Sequence, residues 1–290
     1  MFKEQNTTEN IKLLKAIDFY YSKAKKIKYI LLSIMITIPI LFMVGRYFKN
    51  IENINLFEST YLISFSLMWI IIAYFIEKTI TSKVSIANSL QEKFDTNVFK
   101  IKQNKVLISS VFKSEEDISE VYEKNKRPDS EFIDWYGKEL NDIKHNKKVL
   151  KAQKMNISWG SELKEKFLNF IMGLSVLFLT SQTIFMMHLD MKFNDTIVFL
   201  ILPAFPLYIL IYKNIETLRK QIDRNNQVNK MIEEDICDFE NINFEIKSRQ
   251  YQDFIYLENR ANSVLIPTWF FKLFKEKMNK KIVNEKGKIK

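Results

Sequence analysis

The chain reads as an all-α membrane protein, with four transmembrane helices and a mostly helical cytoplasmic domain built from the segment between the second and third spans and the C-terminal segment. Three observations predict this class. Four runs carry no Asp, Glu, Lys or Arg: Tyr29 to Gly45, Ser59 to Ile76, Phe167 to Leu189 and Thr196 to Tyr212. Their lengths suit about 30 Å of hydrocarbon, which takes roughly 17 to 25 helical residues, and they lack the polar stripe that a buried helix of a soluble protein usually shows. Basic residues are also distributed unevenly: of 44 Lys and Arg, 7 precede Tyr29, 18 lie between the second and third runs, 16 follow Tyr212, and only Arg46, Lys49 and Lys192 lie elsewhere. Because Lys and Arg resist translocation, both termini and the long middle segment are expected in the cytoplasm. The net charge of +10 then belongs to one membrane face, and surface electrostatics account for it without nucleic acid, so no direct DNA or RNA binding is expected.

Taken in order, residues 1–28 form a cytoplasmic arm, and 29–76 a transmembrane hairpin with spans at 29–47 and 59–76. Residues 77–166 are a cytoplasmic segment, 167–212 a second hairpin with spans at 167–189 and 196–212, and 213–290 a stalk helix and C-terminal segment. Beyond Ile76 the apolar residues Ile80, Val84, Ala87, Leu90, Phe94 and Val98 keep three- and four-residue spacing, so the second span should continue as a helix into the cytoplasm. Phe99 to Phe112 has strand character through Val106, Leu107, Ile108 and Val111. Pro128, Asp129 and Ser130 should open a helix with an aromatic face. No Gly or Pro occurs from Leu207 to Ile266, which predicts a long stalk; Asn225, Asn229 and Asn243 either interrupt its seam or face water as the phase drifts. Lys275 to Lys290 is a basic tail expected to be disordered and drawn to lipid. The first run begins too late and lacks a small-residue cleavage pattern, so an uncleaved anchor is expected rather than a signal peptide. Cys237, the single cysteine, excludes an internal disulfide and is expected to be a buried, inert thiol.

Catalytic signals are lacking. His145 and His188 have no Cys or carboxylate at metal-ligand spacing, five glycines write neither a P-loop nor a dinucleotide fingerprint, and no nucleophile stands beside a base in a recognisable motif. The expectation is a non-enzyme with no catalytic residues, no metal and no cofactor. The spans contain no ionisable residue that would mark an ion-coupled pathway. Thr180, Ser181, Gln182 and Thr183 could line a pore if several copies assemble as a homo-oligomer, or could serve ordinary helix-to-helix hydrogen bonding.

Several segments carry a family resemblance. Leu90-Gln91-Glu92-Lys93-Phe94-Asp95-Thr96-Asn97-Val98-Phe99 resembles the QExFDxxVF signature of the SMODS-associated four-transmembrane effectors of cyclic-oligonucleotide-based anti-phage signalling (CBASS). Asp134-Trp135-Tyr136 resembles that family's WY element, and Gln153-Lys154-Met155-Asn156-Ile157-Ser158-Trp159 followed by Leu163 its NxxW segment before the third span. Tyr251 to Tyr256 with Arg260, then Pro267-Thr268-Trp269-Phe270-Phe271, resembles its QDxIYxxR and PxWFY ending. The order matches and the whole chain is covered. Gln103-Asn104 departs from the Trp-Asn pair associated with the family.

The resemblance implies an effector of bacterial defence in the cell inner (plasma) membrane, gated by a cyclic oligonucleotide that binds the cytoplasmic domain and permeabilising that membrane to abort infection. The alternative class is a constitutive membrane scaffold or interaction protein whose cytoplasmic domain binds another polypeptide. Bases call for aromatic or guanidinium planes, phosphates for Arg, Lys or backbone donors, and base edges for Asn, Gln or Asp. The family-like positions supplying these groups are Gln91, Asp95, Trp135, Tyr136, Asn156, Trp159, Gln252, Asp253, Tyr256, Arg260 and Trp269. The competing reading has the aromatic residues filling a core, Trp159 and Trp269 anchoring at the membrane interface, and Arg260 in a structural ion pair with Asp253 or Asp95.

Overall fold

The structure is a computed structural model that describes residues 2–52, 59–108, 114–136, 144–261 and 263–274. Four helices in it are long and apolar enough to cross a membrane, and no strand occurs among the described residues. The helices are α1 (Thr8–Glu52), α2 (Ser59–Phe99), α3 (Lys105–Ile108), α4 (Glu115–Lys124), α5 (His145–His188), α6 (Phe193–Thr196), α7 (Leu202–Cys237) and α8 (Phe244–Phe254). A π-helical stretch, Ile197–Ile201, joins α6 to α7, and another, Ile255–Ala261, extends α8.

Local chemistry sets most of the ends. Thr7 caps α1 by accepting from the Asn10 amide at 3.4 Å. Helix α2 ends with Lys100 at φ 57°, and the Ile101 amide reaches back to the Thr96 carbonyl at 3.1 Å, a Schellman closure made without glycine. Helix α4 starts in a reciprocal capping box, the Asp117 amide donating to Ser114 Oγ at 3.1 Å and the Ser114 amide to Asp117 Oδ2 at 3.2 Å.

The chain divides into two compact units. The first combines Met1–Lys23, Ser82–Phe167 and Thr217–Lys290. Its main core buries Ala87, Leu90, Phe94, Val98 and Phe99 of α2 with Leu13, Leu14 and Ile17 of α1. Phe2 closes it from the N-terminus, its ring 5.3 Å from Phe99, 5.7 Å from Tyr136 and 5.9 Å from His145. Burying each such aromatic ring is worth about 2 to 3 kcal/mol, so a residue next to the start of the chain carries a real share of this core. A second core joins Leu150 and Ile157 of α5 to Ile232 of α7, Tyr251 of α8 and Ile255.

The second unit comprises Ala24–Thr81 and Leu168–Glu216. Its apolar windows are only 6 to 44% buried within the chain, leaving residues such as Leu41, Phe65, Ile71, Leu177 and Ile184 exposed. Apolar side chains in that number are stable only where water is absent, as in lipid. Arg46 pairs with Asp195 at 2.9 Å and lies 5.9 Å from the Phe199 ring.

Four local expectations are corrected. Residues 105–108 are helical and not a strand; Val106 is 85% exposed while Ile108 is buried, so these apolar residues do not make the half-buried alternating face that a strand needs. Val111 lies outside the described residues. The turn at Pro128 gives only a 3-10 helix, Asp129–Phe132, because Ile133 is extended and Asp134 is left-handed at φ 56°. Asn6 fixes that conformation by donating to Asp134 Oδ1 at 2.8 Å and accepting from the Asp134 amide at 2.9 Å. The stalk is not continuous: α7 stops at Cys237, Asn241 bonds back to the Asp238 carbonyl and carboxylate, and Asn243 caps α8. Short polar side chains, Asp238 paired with Asn241 and Asn243 holding the Ile246 amide, stand where the helix ends without Gly or Pro. Cys237, at that end, is exposed and not buried. The basic tail beyond residue 274 lies outside the described residues.

Candidate functional site: a buried ionic network

Within the first unit, α2, α5, α8 and the π-helical stretch bring charged and amide side chains together in the interior. Glu92 and Asp95 are three residues apart and share one face of α2; Glu92 is 1% and Asp95 0% exposed. Arg260 Nη1 meets Asp95 Oδ2 at 2.5 Å. The Tyr136 hydroxyl donates to Asp95 Oδ1 at 2.6 Å and accepts from Asn156 Nδ2 at 3.2 Å. Gln252 Nε2 donates to Glu92 Oε2 at 2.8 Å and to Asp95 Oδ2 at 3.2 Å, while its own Oε1 accepts from Gln153 at 3.2 Å. Arg249 Nη2 bridges Glu92 at 2.7 Å and Asp253 at 2.6 Å, and Asn104 reaches Asp253 at 3.4 Å.

The electrostatics follow from this burial. Desolvation raises the Tyr136 hydroxyl well above its usual value, the Asp95 charge adding to the effect; it therefore remains a hydrogen-bond donor. Burial also raises the Glu92 carboxyl, with Arg249 and the Gln252 hydrogen bond working against it. For Arg260, burial opposes its charge but Asp95 more than compensates, so it stays protonated. Lys164, on α5, differs: burial first, then the Arg260 charge, lowers it to about 7. Its ammonium donates to Asn259 Oδ1 at 2.5 Å and to the Asn259 carbonyl at 3.1 Å. Asn259 Oδ1 accepts from Asn225 as well, at 3.2 Å, so Asn225 of the stalk is interior and does not face water.

Of the residues singled out in the sequence, Asp95, Tyr136, Asn156, Gln252, Asp253 and Arg260 converge in this network, and the Arg260–Asp95 alternative is realised as an ion pair. Tyr256 is buried, its hydroxyl 3.4 Å from the Leu107 carbonyl. Gln91 is half-buried on α2, and Trp135 is 47% exposed. Trp159 and Trp269 lie elsewhere, Trp159 with its ring 5.1 Å from Phe271 and Trp269 49% exposed. In the second unit Gln182 is buried and accepts from the Tyr208 hydroxyl, whereas Thr180, Ser181 and Thr183 are exposed and bond to their own helix backbone. Glu92, Gln153, Lys164, Arg249 and Asn259 were not among the expected contacts, although Glu92 and Gln153 lie in family-like segments and Asn259 directly precedes Arg260. Spacing also marked two of them: Glu92 is three residues before Asp95, and Arg249 four before Asp253. Among the described residues no group of three or more His, Cys, Asp and Glu could hold a metal ion.

These features define a multi-pass, all-α membrane protein whose first unit is organised around a buried ionic network. The model of the SMODS-associating 4TM effector domain matches residues 1–288, and the chain belongs to that family. A protein of Bacillus cereus (strain VD146) named as a probable CBASS effector molecule is 32% identical over 291 residues, covering 98% of this chain and 96% of that one. No solved structure matches.

Proposed function

We propose that this protein is a CBASS effector of the inner membrane, that its helical unit is cytoplasmic along with both termini, and that a cyclic oligonucleotide bound there switches the spans to a permeabilising state. The observation that carries this reading is the family match, which takes in the four spans and the helical unit together. Its relative's name as a probable CBASS effector supports the same role, and the skewed basic residues support the orientation. The buried network supplies a physical basis for switching. Its charges are compensated in the present arrangement, and a phosphodiester ligand offering new partners to Arg260 or Arg249 would favour a second one. A ligand shifts such an equilibrium only by its difference in affinity for the two states.

The test is a binding panel of cyclic di- and trinucleotides against the purified, detergent-solubilised full chain, read by thermal shift and calorimetry. One member should raise the melting temperature in proportion to the logarithm of its concentration. If none binds while the protein is folded, the sensor reading fails and a protein-binding scaffold takes its place.

A further inference from the structure

Residues 268–274 form a short helix that the network does not use. Its inner side is held on α5 where the charge-free run begins: the Phe270 ring is 5.0 Å from Phe167 and Phe271 is 5.1 Å from Trp159. The Phe274 ring lies 4.9 Å from Phe270, tilted by 48°, and under the Lys166 ammonium at 5.0 Å. Trp269 and Leu273, four residues apart and so on one side of a helix, are 49% and 66% exposed.

We propose that this helix is a lipid-reading foot, with Trp269 and Leu273 seated in the headgroup and acyl boundary of a membrane containing anionic lipid. Three observations choose lipid over other occupants. Phe167 is both the seat of the foot and the first residue of the charge-free α5 run, whose apolar window is only 6% buried, so the foot is anchored at the residue where α5 turns from charged to lipid-compatible sequence. An indole half in apolar surroundings and half in water is the arrangement favoured at membrane interfaces. The sequence from 275 to 290 holds seven lysines and two glutamates, a charge that an anionic surface complements. Trp269 then serves lipid and not the messenger.

The test uses the full chain with Cys237→Ser, carrying an environment-sensitive fluorophore on Leu273→Cys, or on Met231→Cys of α7 as an exposed reference, in phosphatidylcholine–phosphatidylglycerol vesicles. Doxyl-labelled lipid should quench the label at 273 and leave that at 231 unchanged, while aqueous iodide should do the reverse. Iodide quenching at 273 equal to that at 231 overturns the proposal, because the foot would then be in water. Shielding at 273 from both quenchers also overturns it, since another protein surface would then cover the site. Trp269→Phe, with its indole removed and its ring kept, should lower the share of tryptophan emission quenched by doxyl lipid; an unchanged share counts against the seating of Trp269.

Discussion

Replacing Arg260 by Met leaves Asp95, which is 0% exposed, with only the Tyr136 hydroxyl at 2.6 Å and Gln252 Nε2 at 3.2 Å as partners. Breaking a buried pair by removing one member typically costs about 3 to 5 kcal/mol, since the remaining charge is buried and uncompensated. In a protein of this size that lowers the melting temperature by roughly 6 to 20 °C, at about 2 to 4 °C per kcal/mol. Asp95→Asn should cost a similar amount by stranding Arg260. The double variant should cost clearly less than the two singles added together, because neither charge is then left behind. Melting of the four proteins in one detergent, followed by near-ultraviolet circular dichroism, gives the cycle. Single variants that melt within about 1 °C of the parent, or strictly additive losses, would refute the claim that this pair is a closed electrostatic unit.

Lys164 has its proton affinity lowered on folding to about 7, so between that value and its unfolded value the unfolded chain binds more protons and stability should rise with pH; Lys164→Met should flatten this rise in melting curves recorded from pH 6 to 10. Ser114→Ala removes one half of the α4 capping box and should cost about 1 kcal/mol in the same melting assay, with Ser114→Asp recovering most of it. Tyr208→Phe leaves Gln182 without its donor inside the second unit and should destabilise by about 0.6 kcal/mol, and Gln182→Leu, which breaks the same hydrogen bond, should cost about as much; a much larger loss for Gln182→Leu would give the amide a role beyond this pair.

Much of the architecture was legible because the dominant signals are long. Charge-free runs of span length leave few alternatives, and the spacing from Ile80 to Val98 continued α2 through to Phe99 as expected. What failed was short and polar. The break after Cys237 falls at Asp238, Asn241 and Asn243: the Asn241 amide and side chain bond the Asp238 carbonyl and carboxylate, and the Asn243 side chain accepts from the Ile246 amide, so the helix ends without the Gly or Pro that usually marks a stop. Likewise Asp134 owes its left-handed backbone to Asn6, a partner 128 residues away, which no local pattern reveals. In the network, Asp95 and Arg260 stand 165 residues apart; the family-like segments named both, and the charge signs suggested their pairing. Lys164 carried no such mark, because a lysine bound to a backbone carbonyl and an amide reads in sequence like any surface lysine.

Under the proposed function, a cyclic oligonucleotide acting on the first unit opens the membrane spans. Dye release from vesicles reconstituted with the purified chain, recorded before and after cyclic di- and trinucleotides are added on the side of the first unit, measures this step. The vesicles should stay tight with protein alone and leak within minutes once one member of the panel is added, with linear oligonucleotides of the same composition inactive. Leakage that is the same with and without every cyclic oligonucleotide, or tight vesicles in the presence of one that demonstrably binds, would contradict it.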